Sequence, residues 1–459
     1  MGGAIVTWSG LGSEADIYAQ RVDASGITVW MMDGVALCEA SLVQSDPAIV
    51  PDGAGGAIVT WKDQRSPFGT QPDIYAQRVD ASGTPLWIAD GVGVCTAISG
   101  QGCPVIASDG AGGAIIAWQD PRNGIPLDVY AQRVDVSGTP LWTANGVAVC
   151  TAPYAQGCPA IISDGVGGAI IAWGDPRSDG WSHSDIYAQR IDPLGTPLWT
   201  IDGEVVGIRP FSWTVPGLVS DGAGGAIIAW QYSAVLSARR IDASGALPWP
   251  DAVALGTAND VLYRTMAIAS DESGGAIVSW HSFGVSESRD IYAQRVDGSG
   301  ALLWSDIALC TEALDQALPA SVSDGEGGAI VAWQDSRQQA TDVLDIYALS
   351  TKAMGWPTSV PTNLPEITAP LVLPHYPNPF TTTATLEIGL PAASSVEIEV
   401  FDVAGRRVSS RLMGFLSQGW HRVTLDGCDN AGKPLPSGVY LYRASAGEAR
   451  VMRKMVIGR

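Results

Sequence analysis

The apolar residues of this chain fall in runs of five or six, rich in Ile, Val, Trp and Tyr, each bounded by Asp-Gly, Gly-Gly or Ser-Gly. Runs of that length between turn formers read as short β-strands joined by hairpins. The runs also recur in phase. The block Gly-Gly-Ala-Ile-x-x-Trp appears seven times, with its tryptophan at Trp8, Trp61, Trp118, Trp173, Trp230, Trp280 and Trp333, at intervals of 50 to 57 residues. A second block, Asp-Ile-Tyr-Ala-Gln-Arg-Val-Asp or a close variant, follows each one, as at Asp16 to Asp23, Asp73 to Asp80, Asp185 to Asp192 and Asp290 to Asp297. A third element, Leu-Trp or a near equivalent, closes the unit at Trp30, Trp87, Trp142, Trp199, Trp249 and Trp304. Self-similarity at this period marks a repeat architecture in which no unit buries its apolar faces alone.

Within one unit the pattern predicts strands over 104–108, 114–118 and 129–134 and a fourth in the stretch from Leu141 to Cys150. Four strands per unit is the size of a propeller blade. Blades stack face to face, so the middle strands are buried on both sides, and their apolar runs are continuous where a half-exposed strand would alternate. The expected fold is all-β: a seven-bladed β-propeller over residues 1–356, followed by a small immunoglobulin-like β-sandwich. Thirteen of the 17 tryptophans occupy the two equivalent repeat positions and are expected to cement blade to blade. Each, fully buried, contributes up to about 4–6 kcal/mol. The first unit begins inside its second strand, and the seventh offers only 354–356 as a fourth strand, so the propeller is expected to be truncated at its N-terminus.

A meander sorts its loops onto two ends. The turns Asp-Gly-x-Gly-Gly and Asp-x-Ser-Gly share one end and hardly vary. The other end carries the connection from the Trp strand to the Ile-Tyr strand, which spans between 5 and 12 residues in the seven units. Variable loops on a rigid scaffold are where recognition usually lives, so a ligand is expected on that face.

Charge and composition divide the chain once. Prolines at 357, 361, 365, 370 and 374 mark a semi-rigid linker over 357–373, ahead of a domain at 374–459. Residues 371–459 carry 10 Lys and Arg against 7 Asp and Glu, whereas the first 370 carry 16 against 40. So acidic a first domain argues against nucleic acid and anionic membranes as partners. No basic, apolar leader opens the sequence, and no run approaches the roughly 18 apolar residues of a transmembrane helix.

The last domain alternates as strands over 384–390, 396–402, 407–412, 421–425, 438–444 and 449–457, which reads as a small sandwich with Val439, Leu441 and Val456 in its core. Its motifs are Tyr376-Pro377-Asn378-Pro379-Phe380, Phe401-Asp402-Val403-Ala404-Gly405-Arg406-Arg407-Val408, Gly419-Trp420-His421, Asp426-Gly427, Gly432, Ser437-Gly438-Val439-Tyr440 and Lys454-Met455-Val456. In that order they resemble the C-terminal sorting domain of type IX secretion substrates, and are similar to the related immunoglobulin-like domain of flagellar hook-capping proteins. The resemblance covers about a fifth of the chain, and Cys428 stands where such domains carry a polar residue. It implies export through outer-membrane secretion machinery and a location outside the cell or on the outer-membrane surface of a bacterium. It implies no activity.

Candidate chemistry is sparse. Four units carry Trp-x-Asp-x-Arg after the second strand: Asp63 with Arg65, Asp120 with Arg122, Asp175 with Arg177 and Asp335 with Arg337. These pairs either form a polar ring on the variable face, able to hold a glycan, or tie each blade to its own loop. A feature repeated in blade after blade usually serves the blade. The strand arginines Arg21, Arg78, Arg133, Arg190, Arg240 and Arg295 invite the same reading. The Asp-Gly-x-Gly-Gly turns faintly resemble the Asp-box of sialidase-like propellers, whose Asp is structural, although the Asp-to-Trp spacing here is longer. One carboxylate per turn falls short of the oxygens Ca²⁺ needs, and neither a metal nor a cofactor is expected.

Two loops break the repeat. The fourth unit has Asp179, Trp181 and His183, and the sixth has His281, Phe283 and Glu287. Trp181 and His183 join the Asp-Arg pairs as ligand-binding candidates, while solvated loop histidines are the bland alternative. No catalytic residue can be assigned. Cys95 with Cys103, and Cys150 with Cys158, share one frame on the connections between blades, so that a local disulfide in each, or buried thiols in their place, is expected. The reading reached is an exported binding or structural module with a glycan or protein ligand. A propeller glycosidase or lyase acting on polysaccharide is the alternative.

Overall fold

The computed structural model describes residues 3–10, 15–65, 71–124, 126–178, 180, 184–208, 215–258, 266–283, 288–304, 307–312, 314–336, 345–351, 371–372, 384–402, 405–416, 418–430, 432–446 and 449–457. Every regular element among them longer than one turn is a strand. Trp181, His183, Arg337 and most of the Pro-rich stretch lie outside the described residues. Two compact units emerge, one formed by 1–302, 306–322 and 333–346, the other by 303–305, 323–332 and 347–459.

The repeat builds seven sheets, the blades of a β-propeller. Blade 1 holds β1 (Gly3–Ser9), β2 (Ile17–Asp23) and β3 (Val35–Cys38). Blade 2 holds β4 (Gln44–Pro51), β5 (Ala57–Asp63), β6 (Asp73–Val79) and β7 (Val92–Cys95). Blade 3 holds β8 (Gly102–Ser108), β9 (Ala114–Asp120), β10 (Asp128–Val134) and β11 (Val147–Cys150). Blade 4 holds β12 (Ala160–Ser163), β13 (Ala169–Asp175), β14 (Asp185–Ile191) and β15 (Glu204–Gly207). Blade 5 holds β16 (Gly217–Ser220), β17 (Ala226–Tyr232), β18 (Val235–Ile241) and β19 (Val253–Thr257), and blade 6 holds β20 (Met266–Ser270), β21 (Ala276–Phe283), β22 (Arg289–Val296) and β23 (Ile307–Cys310). Blade 7 holds β24 (Gln316–Ser323), β25 (Ala329–Asp335) and β26 (Asp345–Ser350). Each sheet is a meander in chain order.

The fourth strand is shorter than the apolar pattern predicts. In blade 3 only Val147–Cys150 forms it, while Pro140 makes an isolated bridge to Val134 and the chain turns over Leu141 to Gly146. The detour places Trp142 outside its own sheet, free to reach the next blade. Where the fourth strand meets the third, a bulge between Val129 and Tyr130 shifts the register.

Blade packing rests on two kinds of tryptophan. Those of the second strands, Trp61, Trp118, Trp173 and Trp280, are fully buried between neighbouring sheets. Those of the closing segments cap the turn of the following blade: the indole N–H of Trp87 donates to the Val136 carbonyl at 3.1 Å, and Trp142 to Pro193 at 3.0 Å. Trp30, Trp199 and Trp249 repeat the contact on Ala81, Ala243 and Gly298. The ring lies flat against the glycine of that turn. A Cβ on Gly138, whose φ is +86°, would sit 2.7 Å from the Trp87 ring.

The turn aspartates and strand arginines complete the junction. Asp52 accepts the N–H groups of Ala54 and Gly56 at 2.8 Å through one oxygen, and Arg78 at 3.0 and 2.8 Å through the other. Arg78 then donates across to the Val136 carbonyl at 3.2 Å, the acceptor that Trp87 uses. Asp109 with Arg133, Asp164 with Arg190, and Asp221 with Arg240 repeat the arrangement, each reaching the next blade's turn.

The cysteines correct an expectation. Neither local disulfide forms: Cys103 pairs with Cys158 across blades 3 and 4, with Cα atoms 5.5 Å apart, and Cys95 and Cys150 are buried free thiols. Cys95 ends the last strand of one sheet, whereas Cys103 opens the first strand of the next, at the opposite edge. First strands pack beside first strands, β8 against β12, which brings Cys103 to Cys158.

The second unit contains a sandwich of β27 (Leu371–Val372), β28 (Ala384–Leu390) and β31 (Gly419–Leu425) against β29 (Ser394–Asp402), β30 (Arg407–Leu416), β32 (Gly438–Ala446) and β33 (Ala449–Ile457). Its core takes Leu386, Ile388, Ile398, Val423, Tyr442 and Met455. Val439, expected inside, is exposed and Leu441 half-buried, because Tyr440, Tyr442 and Ala444 hold the inward phase of β32. With a period of two, a strand whose both phases are apolar does not declare which one faces in.

Peptide mapping without reductant should recover a Cys103–Cys158 cross-link and alkylatable Cys38, Cys95, Cys150, Cys310 and Cys428 once the chain is unfolded. Loss of the 55-residue covalent loop in Cys103→Ser should lower denaturant stability by about 3–4 kcal/mol. Gly138→Ala combines a left-handed backbone with a ring clash and should cost about 3 kcal/mol in the same measurement.

Candidate functional site

The Asp-Arg pairs sit where the second strand leaves each sheet toward the variable connection. In blade 2, Asp63 is fully buried and accepts the Trp61 indole N–H at 2.8 Å and Arg65 at 2.6 Å on one oxygen, with the Arg65 backbone N–H on the other. Arg65 also donates to the Asp90 carbonyl at 2.7 Å and to Cys38 Sγ of the preceding blade at 3.0 Å, and lies over the Tyr75 ring at 4.0 Å. Blades 3 and 4 reproduce this with Asp120, Arg122, Cys95 and Tyr130, and with Asp175, Arg177, Cys150 and Tyr187. In blade 7 the Trp333 indole donates to Asp335 at 3.0 Å.

The pairs of blades 2 to 4 therefore close on their own blade and the one before it. Burial works against the Asp120 charge, but hydrogen bonds from Arg122 and the Trp118 indole outweigh it and hold the carboxyl below its ordinary pKa. The thiols respond oppositely. Burial pushes Cys38 and Cys95 up to about 12, so both stay protonated and unreactive.

A second carboxylate lies opposite the first. The register places Asp73 across from Asp63, Asp128 from Asp120, and Asp185 from Asp175. Burial, and then the Asp63 charge, raises Asp73 to about 6, and burial likewise raises Asp128, whose carboxylate accepts Asn123 at 2.8 Å. Sequence reading passed over these aspartates, although they open the second repeated block in every well-formed copy.

Blades 1 and 6, which lack the arginine, solve the same problem differently. Blade 1 has Gly10 and blade 6 has Ser282 at the position of Asp63. There the tyrosine stacks on the strand tryptophan instead, Trp8 with Tyr18 and Trp280 with Tyr292, and its hydroxyl donates to Asp16 or Asp290 at 3.3 Å. His281 is buried in β21 and accepts the Leu318 N–H of the next blade at 3.2 Å on Nδ1, so it belongs to a blade junction. Phe283, its partner in the sequence reading, lies under Arg289 at 5.1 Å, and Glu287 is outside the described residues.

Residues 378–450 match the family profile described as the FlgD Ig-like domain. No curated protein matches the sequence. Among solved structures, FlgD from P. aeruginosa is 25% identical over 16% of this chain and 58% of its own, with a TM-score of 0.14. This chain thus spans little more than half of that protein. An alpha-L-arabinanase of Penicillium chrysogenum is 13% identical over 67% of this chain and 93% of its own, with a TM-score of 0.40. PorZ, a surface component of the type IX secretion system of Porphyromonas gingivalis, is 14% identical over 99% and 58%, with a TM-score of 0.35. All three scores lie below 0.5, and the blades themselves define the architecture.

Asp73 gives a pH test. Its folded pKa of about 6 lies above its ordinary value of 3.8, so the folded state loses stability as pH rises from about 4 through 6, and the full penalty persists above that. Asp73→Asn should raise the Tm by about 2 °C at pH 7.5 and leave it unchanged at pH 4, read by thermal denaturation.

Proposed function

We propose that this chain is an exported propeller that works outside the cell or on the outer-membrane surface as a non-enzymatic binding or structural module. Its immunoglobulin-like domain serves as the address read by outer-membrane secretion machinery. One observation carries the module reading: the carboxylates and guanidinium groups common to the blades are taken up in blade junctions. Asp63, Asp120 and Asp175 are fully buried and paired. A glycan-cleaving site instead needs an acid and a base that face substrate. Recognition then falls to what differs between blades, the variable connections, with Trp181 and His183 as candidates. The Cys103–Cys158 cross-link supports export, since such bonds persist in oxidising compartments.

A glycan and polysaccharide array probed with the full chain tests the reading. Saturable binding that falls at least about tenfold in Trp181→Ala or His183→Ala is the expected result, since a buried aromatic anchor contributes on the order of 2 kcal/mol. Release of reducing ends from any bound polysaccharide would establish the glycosidase or lyase in its place.

A further inference from the structure

One position in the connections between blades is held in a left-handed backbone without being glycine. Leu42, Ser99, Tyr154 and Leu314 have φ of 70°, 75°, 70° and 71°. Each stands two residues before a buried glutamine, Gln44, Gln101, Gln156 or Gln316. Glycine adopts this conformation without strain, and the repeat uses it at Gly53, Gly110, Gly165 and Gly222 in the turns of the opposite face. Here four copies carry a side chain instead, and its type changes between Leu, Ser and Tyr.

The connection is fixed although its tip varies. Between blades 3 and 4, Gln156 Nε2 donates to the Tyr154 carbonyl at 2.7 Å and to that of Ala152 at 3.1 Å. The Gln156 N–H donates to the Leu127 carbonyl at 2.8 Å and the Gly157 N–H to that of Gly174 at 2.7 Å, which ties the segment to both blades. Gln44, Gln101 and Gln316 donate in the same way to Leu42, Ser99 and Leu314. The glutamine therefore holds the tip, and the fold has no need of a tyrosine there. A strained residue kept where the fold does not require it points to function.

Tyr154 is 39% exposed on the variable face. A Cβ on Gly180 would lie 4.0 Å from its hydroxyl, so the ring stands beside the variable connection of blade 4. Between Arg177 and Asp185 that connection reads Ser-Asp-Gly-Trp-Ser-His-Ser, with aromatic and hydrogen-bonding groups and no aliphatic residue. A sugar matches such a composition, with C–H groups on one face for an aromatic ring and hydroxyls around its edge. The first 370 residues hold 16 Lys and Arg against 40 Asp and Glu, which disfavours an anionic saccharide.

We propose, on the binding-module reading of the chain, that Tyr154 is the platform on which an uncharged glycan stacks. The ring covers the C–H face of one sugar. Its clamped backbone sets the ring before the ligand arrives, so that little conformational freedom is lost on binding.

Affinity electrophoresis of the full chain through gels containing a glucan, a xylan, a mannan or polygalacturonate tests the platform. The expected result is saturable retardation by at least one of the three uncharged polysaccharides and none by polygalacturonate. Tyr154→Ser, which installs the residue that Ser99 shows to fit this backbone, should weaken binding about tenfold or more. Tyr154→Gly should do the same, Tyr154→Phe should retain binding, and Leu42→Gly, at the tip between blades 1 and 2, should leave it intact. A parent chain that binds while Tyr154→Ser and Tyr154→Gly bind equally well would overturn the platform and leave the module reading standing. So would loss of binding in Tyr154→Phe or in Leu42→Gly, or equal retardation by polygalacturonate. A parent chain that no polysaccharide retards would sink the platform and a glycan ligand together.

Discussion

The contact on which this molecule depends is a tryptophan lying on the glycine of the next blade's turn. It works because three requirements coincide at one point. The turn needs a left-handed residue, which glycine adopts without strain. The missing side chain lets an indole approach the backbone, and the turn carbonyl it uncovers takes the indole N–H. Arg78 and its equivalents donate to that same carbonyl while holding the aspartate of their own blade's other turn. Apolar burial alone would let sheets slide past one another. A shared acceptor fixes their relative position, since a misplaced blade would leave a buried indole and a guanidinium unsatisfied.

The acidity of the chain takes on a different meaning once its carboxylates are placed. Of the 47 Asp and Glu, a recurrent set is inside: the turn aspartates under the strand arginines and the pairs ending the second strands. A buried carboxylate is costly without a cation and hydrogen bonds, and those of blades 2 to 4 have both. Neighbouring Asp73 has no hydrogen bond or ion pair among the described residues, and burial and the Asp63 charge raise it toward neutrality. In blades 1 and 6, which lack the arginine, tyrosine turns from cation stacking to indole stacking, so those junctions keep an aromatic filling.

Much of this was legible in one dimension. Repetition made it so: seven copies of Gly-Gly-Ala-Ile-x-x-Trp fixed strand number, blade number and loop face, because a pattern that recurs in phase cannot be local accident. The structural role of the Asp-Arg pairs was legible for the same reason. What differed between copies was harder to read. Leu141 and Trp142 look like strand continuation, yet the chain turns there, because propensity does not reveal that the tryptophan belongs to the neighbouring sheet. Val439 and Leu441 look like core residues, yet Tyr440 and Tyr442 point inward.

The sequence by itself determined the short strands and their order within each repeat, and the repeat itself, since these follow from short-range periodicity. Only the tertiary structure decided which cysteines meet, which phase of β32 faces in, and which side chains spend their hydrogen bonds across a blade junction. Those depend on distances between residues about 25 to 60 positions apart. Cys95 and Cys103 are close in the chain but stand at opposite edges of successive sheets, while Cys103 near the start of β8 and Cys158 just before β12 flank first strands that pack side by side. Proximity along a meander and proximity between blades are different coordinates, and folding alone converts one into the other.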